Sequence, residues 1–268
     1  MPDAQTPVVC FVHDLGDRRV WRRLTEALPS WVRALVVEQR PTSRLAPADQ
    51  AEHIEAAARA VLPDTGVDLV VAPDSAAGAG AELVADGSAT HALLVDPDPQ
   101  VLVGRPDFRP PGPSAQIADL LLAMAPYQEQ LREHGTLPEE GVEAMVDHFL
   151  GRCETLDEQD RRLLHDIATE RLTQTMPWDL STAQEAAPPC EHDWFTRLSA
   201  SPERFTVYSG ELAGLGASLR TVLSRNVPGA YVVSASTRTA FPWLEEPAAL
   251  AALITDHMDP RFQEDHST

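Results

Sequence analysis

Short apolar runs alternate with segments of helical periodicity along this chain, and the alternation limits the folds open to it. Apolar runs occupy residues 8–12, 32–37, 67–72 and 92–95, and helical patterns follow the first three at 20–28, 49–62 and 76–85. Runs that are almost continuously apolar are typical of parallel strands with helices on both faces of the sheet. We therefore predict an α/β fold with a mainly parallel sheet flanked by helices.

The middle of the chain has a different pattern. Residues 114–176 are helical throughout, with helices predicted at 114–132, 139–152 and 157–175, and proline-rich stretches border them at 105–113 and 177–189. Strand-like runs at 205–209 and 230–234 and a last helix at 246–258 then return to the first pattern. We predict a core domain of about six strands formed by residues 1–109 and 190–268, with a helical lid inserted at 110–189.

Composition and charge exclude several kinds of partner. The 268 residues are 43% hydrophobic, enough for one large folded core. A net charge of −20 would repel nucleic acid and anionic membranes at moderate salt. We find neither a signal-peptide pattern nor a run long enough to cross a bilayer, so we expect a cytoplasmic protein with a small-molecule partner, and a homodimer stays open.

The cysteines and histidines give no metal or cofactor signature. Cys10, Cys153 and Cys190 are far apart and lack the spacing of metal ligands, so we interpret them as free thiols in a reducing compartment. The nine histidines are scattered. A glycine pair at Gly78 and Gly80 lacks the third glycine of a dinucleotide-binding loop. We expect neither a metal ion nor a cofactor.

Five short motifs, in order, resemble those of the α/β-hydrolase superfamily, over nearly the full length of the chain. They resemble its His-Gly-x-Gly segment, its nucleophile elbow, the strand after the elbow, its Gly-x-x-Asp turn and the run after its catalytic histidine. In this chain they are His13-Asp14-Leu15-Gly16 with Trp21 after it, 70–78, Leu93-Leu94-Val95-Asp96-Pro97, Gly210-Glu211-Leu212-Ala213 and Phe241-Pro242-Trp243. The resemblance implies the α/β-hydrolase fold.

The elbow motif offers two candidate nucleophiles, Asp74 and Ser75. A tight strand-to-helix turn needs small residues two positions to either side of its apex. With Asp74 at the apex these are Ala72 and Ala76, whereas Ser75 would have Pro73 on one side, so we favour Asp74. An aspartate there resembles haloalkane dehalogenases and epoxide hydrolases, which form an ester on that carboxylate. The alternative is a solvated aspartate that caps the following helix.

The resemblance assigns the catalytic base and acid to residues without proton-handling groups. The base would be Ala240 and the acid Ala213, and no histidine occurs between Tyr231 and Trp243. A methyl group can neither accept nor relay a proton, so a serine would stay un-ionised and an ester on an aspartate would not be hydrolysed efficiently. We therefore expect a degenerate member that is not a triad hydrolase.

Further site candidates lie beside these positions. His13 is a third catalytic candidate, although the equivalent histidine of the family is largely structural, and the resemblance places oxyanion-hole amides at Asp14 or Leu15. Arg238 is a candidate for binding a carboxylate or enolate; its alternative is an exposed loop arginine. In the lid and the return linker the candidates for lining a pocket, with lid packing as the alternative for the aromatic ones, are Tyr127, Trp178, His192 and Trp194.

Three classes of function remain open. The first is a cofactor-independent lyase, cyclase or isomerase that acts on a small organic substrate, with Asp74 as acid or base; it resembles hydroxynitrile lyases, cofactor-independent dioxygenases and tailoring enzymes of bacterial natural-product pathways. The second is a catalytically silent protein that binds a ligand or a protein partner. The third is a hydrolase with Asp74 as nucleophile and a base from the lid. We favour the first, because the base and acid are lost while the pocket frame is kept.

Overall fold

The computed structural model places six parallel strands in one sheet. It describes residues 6–13, 18–38, 47–62, 66–73, 76–97, 102, 122, 124–134, 137–150, 156–167, 169, 193–210, 215–237 and 241–258. The strands, all paired in parallel, are β1 Val8–His13, β2 Arg33–Glu38, β3 Val67–Pro73, β4 Ala89–Val95, β5 Phe205–Ser209 and β6 Tyr231–Ser234. Their order across the sheet is β2-β1-β3-β4-β5-β6.

Ten α-helices lie within the described residues. Those of the core are α1 Arg22–Ala27, α2 Pro47–Val61, α3 Ala77–Ala85, α7 Trp194–Ala200, α8 Leu215–Asn226, α9 Pro242–Glu245 and α10 Pro247–Met258. Those within the predicted lid are α4 Gln128–His134, α5 Glu139–Leu150 and α6 Glu158–Ile167. A 3₁₀ turn at Arg18–Trp21 leads into α1.

Helices cover both faces of the sheet, as the apolar strands require. One face carries α2, α3, α7 and α8, whose buried residues form the first core with Val70, Ala72 and Leu94. The other face carries α1, α6, α9 and α10, whose buried residues form the second core with Val71 and Leu93. Consecutive residues of β3 thus enter opposite cores, which explains why its sequence is apolar without alternation.

The predicted strands are confirmed, with small shifts at their ends. The largest shift is in β4, which begins at Ala89 rather than at residue 92. Two core helices, α7 and α8, were missing from the sequence prediction. The first predicted helix begins as a 3₁₀ turn, and much of the predicted lid, including 103–121 and 170–192, lies outside the described residues.

Helix α6, which lies within the predicted lid, is anchored on the sheet and its helices by charge and by apolar packing. Asp160 is fully buried, with its carboxylate 3.1 Å from the Arg22 guanidinium and 2.8 Å from that of Arg23. Asp157 caps the helix, because its Oδ1 accepts the Asp160 N–H at 2.9 Å, and this bond lowers the pKa of Asp157. Apolar residues of the same helix belong to the second core. Helix α6 is therefore held to the core by two independent kinds of contact.

Candidate functional site

The sheet topology predicts a ligand-binding crevice at the carboxyl ends of β1 and β3. From β1 the chain moves outward to β2, and it then crosses to the other side of β1 to form β3. Ligands of open parallel sheets bind where the strand order reverses in this way, because the two loops leave in opposite directions. The reversal lies between His13, the last residue of β1, and Pro73, the last residue of β3.

The turn after β3 has the tight packing of a strand-to-helix elbow. Only two residues separate Pro73 from Ala76, the residue that precedes α3. Ala72 and Ala76 are fully buried, and a Cβ added at Gly80 would lie only 2.6 Å from the Ala72 Cβ. The helix therefore rests directly on the strand, which requires small residues at all three positions. These flanks fit the elbow that the sequence predicted.

A buried carboxyl group lies at the end of the next strand. Asp96 follows β4, and its positive φ of 43° is unusual for a residue other than glycine. Its Oδ1 accepts the Gly210 N–H at 2.7 Å, while its own N–H donates to the Tyr208 carbonyl at 2.8 Å. Burial raises the pKa of Asp96 to about 6, although the Gly210 hydrogen bond opposes the shift. The sequence analysis did not single out this carboxyl as a site residue.

Asp96 is bonded to Gly210 and lies near the end of β3, and both places belong to motifs that the sequence had marked. In the strand register Pro73, which precedes Asp74 in the chain, pairs with Val95, which precedes Asp96. Gly210, which Asp96 holds, begins the turn that leads to Ala213. The signal available in the sequence was the aspartate that directly follows the apolar run 92–95, at the edge where ligands of parallel sheets bind.

Most of the predicted site residues lie outside the described part of the chain, and their roles stay predictions. His13 is described as the end of β1, where it pairs with Glu38, but its side chain is not. Those outside the described residues are Asp14, Leu15, Asp74, Ser75, Trp178, His192 and Arg238.

Two of the predicted pocket aromatics are described. Tyr127 lies just before α4, and its ring is so close to Gly141 of α5 that an added Cβ there would lie 3.1 Å from the Cγ atom of the tyrosine. In this contact the turn before α4 packs on α5. Trp194 begins α7 and is buried in the first core, where it contacts Phe195 edge to face.

The run Phe241-Pro242-Trp243 has a structural role in this protein. Trp243 is buried against Phe241 and against Trp21, with ring centroids 5.6 and 4.7 Å apart. Trp21 in turn contacts Phe11 of β1 at 5.0 Å. Two motifs that are far apart in the sequence thus meet in one aromatic cluster, formed by Phe11, Trp21, Phe241 and Trp243. The packing of these rings is enough to explain the presence of both motifs.

A second polar pair lies away from the carboxyl edge of the sheet. His257 Nε2 and Thr206 Oγ1 form a hydrogen bond of 2.8 Å near the amino end of β5. His257 therefore lies near the amino ends of the strands, whereas Asp96 lies at their carboxyl ends. Among the described residues, no three His, Cys, Asp or Glu side chains are grouped to bind a metal ion. Within the same part of the chain, no helix is long and apolar enough to cross a membrane.

Solved structures show which fold this is. A carboxylesterase structure from the thaumarchaeon Nitrososphaera gargenis matches with a TM-score of 0.62 and 14% identity, over 98% of this chain and 93% of that one. A carboxylesterase from Bacillus subtilis gives 0.62 and 12%, over 95% and 84%. An epoxide hydrolase from metagenomes of hot environments gives 0.54 and 16%, over 96% and 92%. No family model and no curated protein matches the sequence.

The similar structures are esterases and hydrolases of the α/β-hydrolase superfamily, and the chain has the α/β-hydrolase fold. At these identities the comparison establishes the fold alone. The predicted fold class is therefore confirmed. The loss of the catalytic acid and base stays a prediction, because it rests on the resemblance that assigns these roles to Ala213 and Ala240.

Proposed function

We propose that this protein is a cofactor-independent enzyme that transfers protons on a small organic substrate, as a lyase, cyclase or isomerase, without a catalytic triad. The observation that carries the proposal is the kept elbow frame of Ala72, Ala76 and Gly80 around a turn whose first residue is Asp74. A fold that loses its base and acid but keeps this packing still presents one side chain at the ligand-binding edge.

In the proposed reaction Asp74 is the base. Its carboxylate takes a proton from a carbon next to a substrate carbonyl, and the electron pair of the broken C–H bond moves to the carbonyl oxygen, giving an enolate. Amide groups at the start of α3 and near Asp14 or Leu15 stabilise the oxyanion. Ala76 precedes α3, and its side chain makes no hydrogen bond to the first N–H groups of the helix, which are the groups proposed to bind the oxyanion. Asp74 then returns the proton at another atom, which completes an isomerisation.

Ester or epoxide hydrolysis is the second candidate, because esterases and an epoxide hydrolase are among the structures similar to this chain. For this chain it requires Asp74 as nucleophile and a base from the lid. Without that base, an ester formed on Asp74 would accumulate rather than turn over. Proton transfer therefore predicts an isomerised product and an unchanged protein mass, whereas attack by Asp74 predicts an ester that raises the mass of the protein.

Deuterium incorporation tests the proposal directly. The purified protein is incubated in D₂O with a panel of small ketones and keto esters, whose masses are then measured. We expect at least one compound to gain deuterium faster than in buffer, with the gain lost in Asp74→Asn and kept in Ser75→Ala. No gain across the panel would favour the catalytically silent ligand-binding protein.

Ester and epoxide probes test the alternative. We expect no p-nitrophenol release from p-nitrophenyl acetate above background and no adduct with a fluorophosphonate. Turnover that Ser75→Ala abolishes would contradict the proposal. A protein mass raised by the intact epoxide, absent in Asp74→Asn, would instead identify the aspartate as a nucleophile.

A further inference from the structure

A cavity of about 480 Å³ lies at the amino edge of the sheet, where β3 and β4 begin. Val67 and Ala89, the first residues of these two strands, line it. Sites for small molecules have volumes of about 300–1,000 Å³, so the cavity is large enough to hold one. The candidate site lies at the carboxyl ends of the strands, and this cavity is therefore separate from it.

The cavity has an apolar floor. Buried side chains from α2 and the residue after it, from the two strands and from α3 form this floor: Ile54, Ala58, Leu62, Val67, Leu83 and Ala89. Gly66 and Gly87 also line the cavity, and a Cβ added to either would meet no heavy atom within 4 Å. Open space therefore lies beside the backbone at both glycines, and the floor can bury the apolar part of a ligand.

The rim of the cavity carries two carboxylates and one guanidinium group. Glu55 Oε1 is 2.5 Å from the Arg59 guanidinium and accepts the Ser88 hydroxyl at 2.7 Å, so its charge is balanced. The exposed Asp86 carboxylate accepts the Ser88 N–H at 2.8 Å but has no cationic partner among the described residues. The rim therefore has one negative charge in excess, and it is located at Asp86.

Two helices end at this rim and add to its negative potential. Helix α2 ends at Val61 and α3 ends at Ala85, and residues of both last turns line the cavity. The carboxyl end of a helix carries a partial negative charge, which favours a cation there. The described residues offer no group of three metal-binding side chains at this rim, which favours an organic cation over a metal ion.

We propose that this cavity binds a small organic cation, in which a primary ammonium group is attached to a short apolar body. The ammonium group donates hydrogen bonds to the Asp86 carboxylate at the rim, and the apolar body lies on the floor against Leu62 and Leu83. Glu55, held by Arg59 and by the Ser88 hydroxyl, keeps the opposite part of the rim in place. This inference goes beyond the proposed function and does not depend on which reaction the other edge performs.

A titration followed by NMR tests the proposal. The ¹⁵N-labelled protein is titrated with benzylammonium near neutral pH and at constant ionic strength, and the amide shifts of Gly66, Gly87 and Ser88 are followed. Benzyl alcohol, which has the same ring without the charge, is the matched probe. We expect saturable shifts at these amides, with binding of the alcohol about tenfold weaker, the effect of one charge-assisted hydrogen bond. Equal binding of the two probes, or no shift at these amides, would overturn the proposal.

Asp86→Asn tests the residue that binds the cation. The side-chain oxygen of the asparagine can still accept the Ser88 N–H, so the variant loses the charge and keeps the turn. We expect its affinity for benzylammonium to fall about tenfold, with the affinity for benzyl alcohol unchanged. Asp49→Asn, an exposed position at the other end of α2, is the control for net charge and should bind as the wild type. Wild-type affinity in Asp86→Asn, or an equal loss in both variants, would contradict the proposal.

A second variant should strengthen the binding. Arg59→Gln removes the cation that balances Glu55, so a second carboxylate becomes available at the rim. We expect the affinity for benzylammonium to rise about threefold, the effect of one exposed ion pair. Arg225→Gln, at an exposed position of α8, changes the net charge equally and should leave the affinity unchanged. Weaker binding in Arg59→Gln, or an equal rise in both variants, would show that the charges of this rim do not select the ligand.

Discussion

At position 80 the chain has no room for even a methyl group. Gly80 lies in α3 where the helix rests on β3, and an added Cβ would lie 2.6 Å from that of Ala72. Gly66, just before β3, has no heavy atom within 4 Å of the same position. A methyl group would therefore clash at position 80 but would meet no neighbour at position 66.

We expect Gly80→Ala to lower the free energy of unfolding by about 1–3 kcal/mol, because overpacking of the core outweighs the higher helix propensity of alanine. Gly66→Ala, the matched control, should change it by less than about 1 kcal/mol, with restriction of the unfolded chain favouring the alanine. Urea unfolding measures both. Equal effects would mean that the elbow packs less tightly than the distances indicate.

The sequence shows Asp96 at the end of an apolar run, but it could not reveal that the carboxyl group is buried. The run Asp96-Pro97-Asp98-Pro99 looks like a solvated turn after a strand, and composition gives no reason to bury its first residue. The burial follows from the pairing of β4 with β5, which brings Gly210 and Tyr208 against the carboxyl. Contacts between residues more than a hundred positions apart leave no periodic signal, whereas the small residues of the elbow do.

At the scale of elements, the strands were predictable and two helices were not. The inner strands β1, β3 and β4 contain nearly continuous apolar runs because both of their faces are covered, whereas the edge strands β2 and β6 are only partly buried and were predicted from shorter apolar runs. Helix α7 has only seven residues, and its start is marked by Asp193, whose side chain accepts the Thr196 N–H at 2.6 Å. In α8 the buried residues Leu219, Val222 and Leu223 have helical spacing, but glycines and serines surround them.

The anchoring of α6 gives a prediction about paired charges. Arg23→Met removes one of the two arginines from the fully buried Asp160 and the donor to the Leu244 carbonyl at 3.0 Å, so we expect a loss of about 3 kcal/mol. Asp160→Leu leaves two arginines that are partly exposed and can be hydrated, so we expect about 1 kcal/mol. Urea unfolding compares them. A larger cost for Asp160→Leu would contradict this account.

At the scale of the whole molecule, the division into core and lid remains a prediction that proteolysis can test. Both proline-rich stretches border the predicted lid, and the bonds after Arg105 and Arg109 precede proline, which makes them resistant to trypsin. Chymotrypsin at Phe108 and a glutamate-specific protease at Glu185 are therefore the probes.

We expect the first cuts of these enzymes at Phe108 and Glu185, with the core surviving as a nicked, associated complex. The segment 67–95, which includes β3, α3 and β4, should resist longest. It contains the matched internal control, Glu82 of α3, whose carboxylate is bound by Arg197 at 2.6 Å. Mass spectrometry of the early fragments identifies the sites. Early cleavage at Glu82 would contradict the predicted division.

The aromatic cluster of Phe11, Trp21, Phe241 and Trp243 has a consequence for the history of this chain. Because packing alone retains these side chains, selection for a stable protein preserves the motifs whether or not any reaction is under selection. A chain with this packing can keep these motifs while its loop residues, and with them its reaction, change, so the motifs identify the fold and not the chemistry.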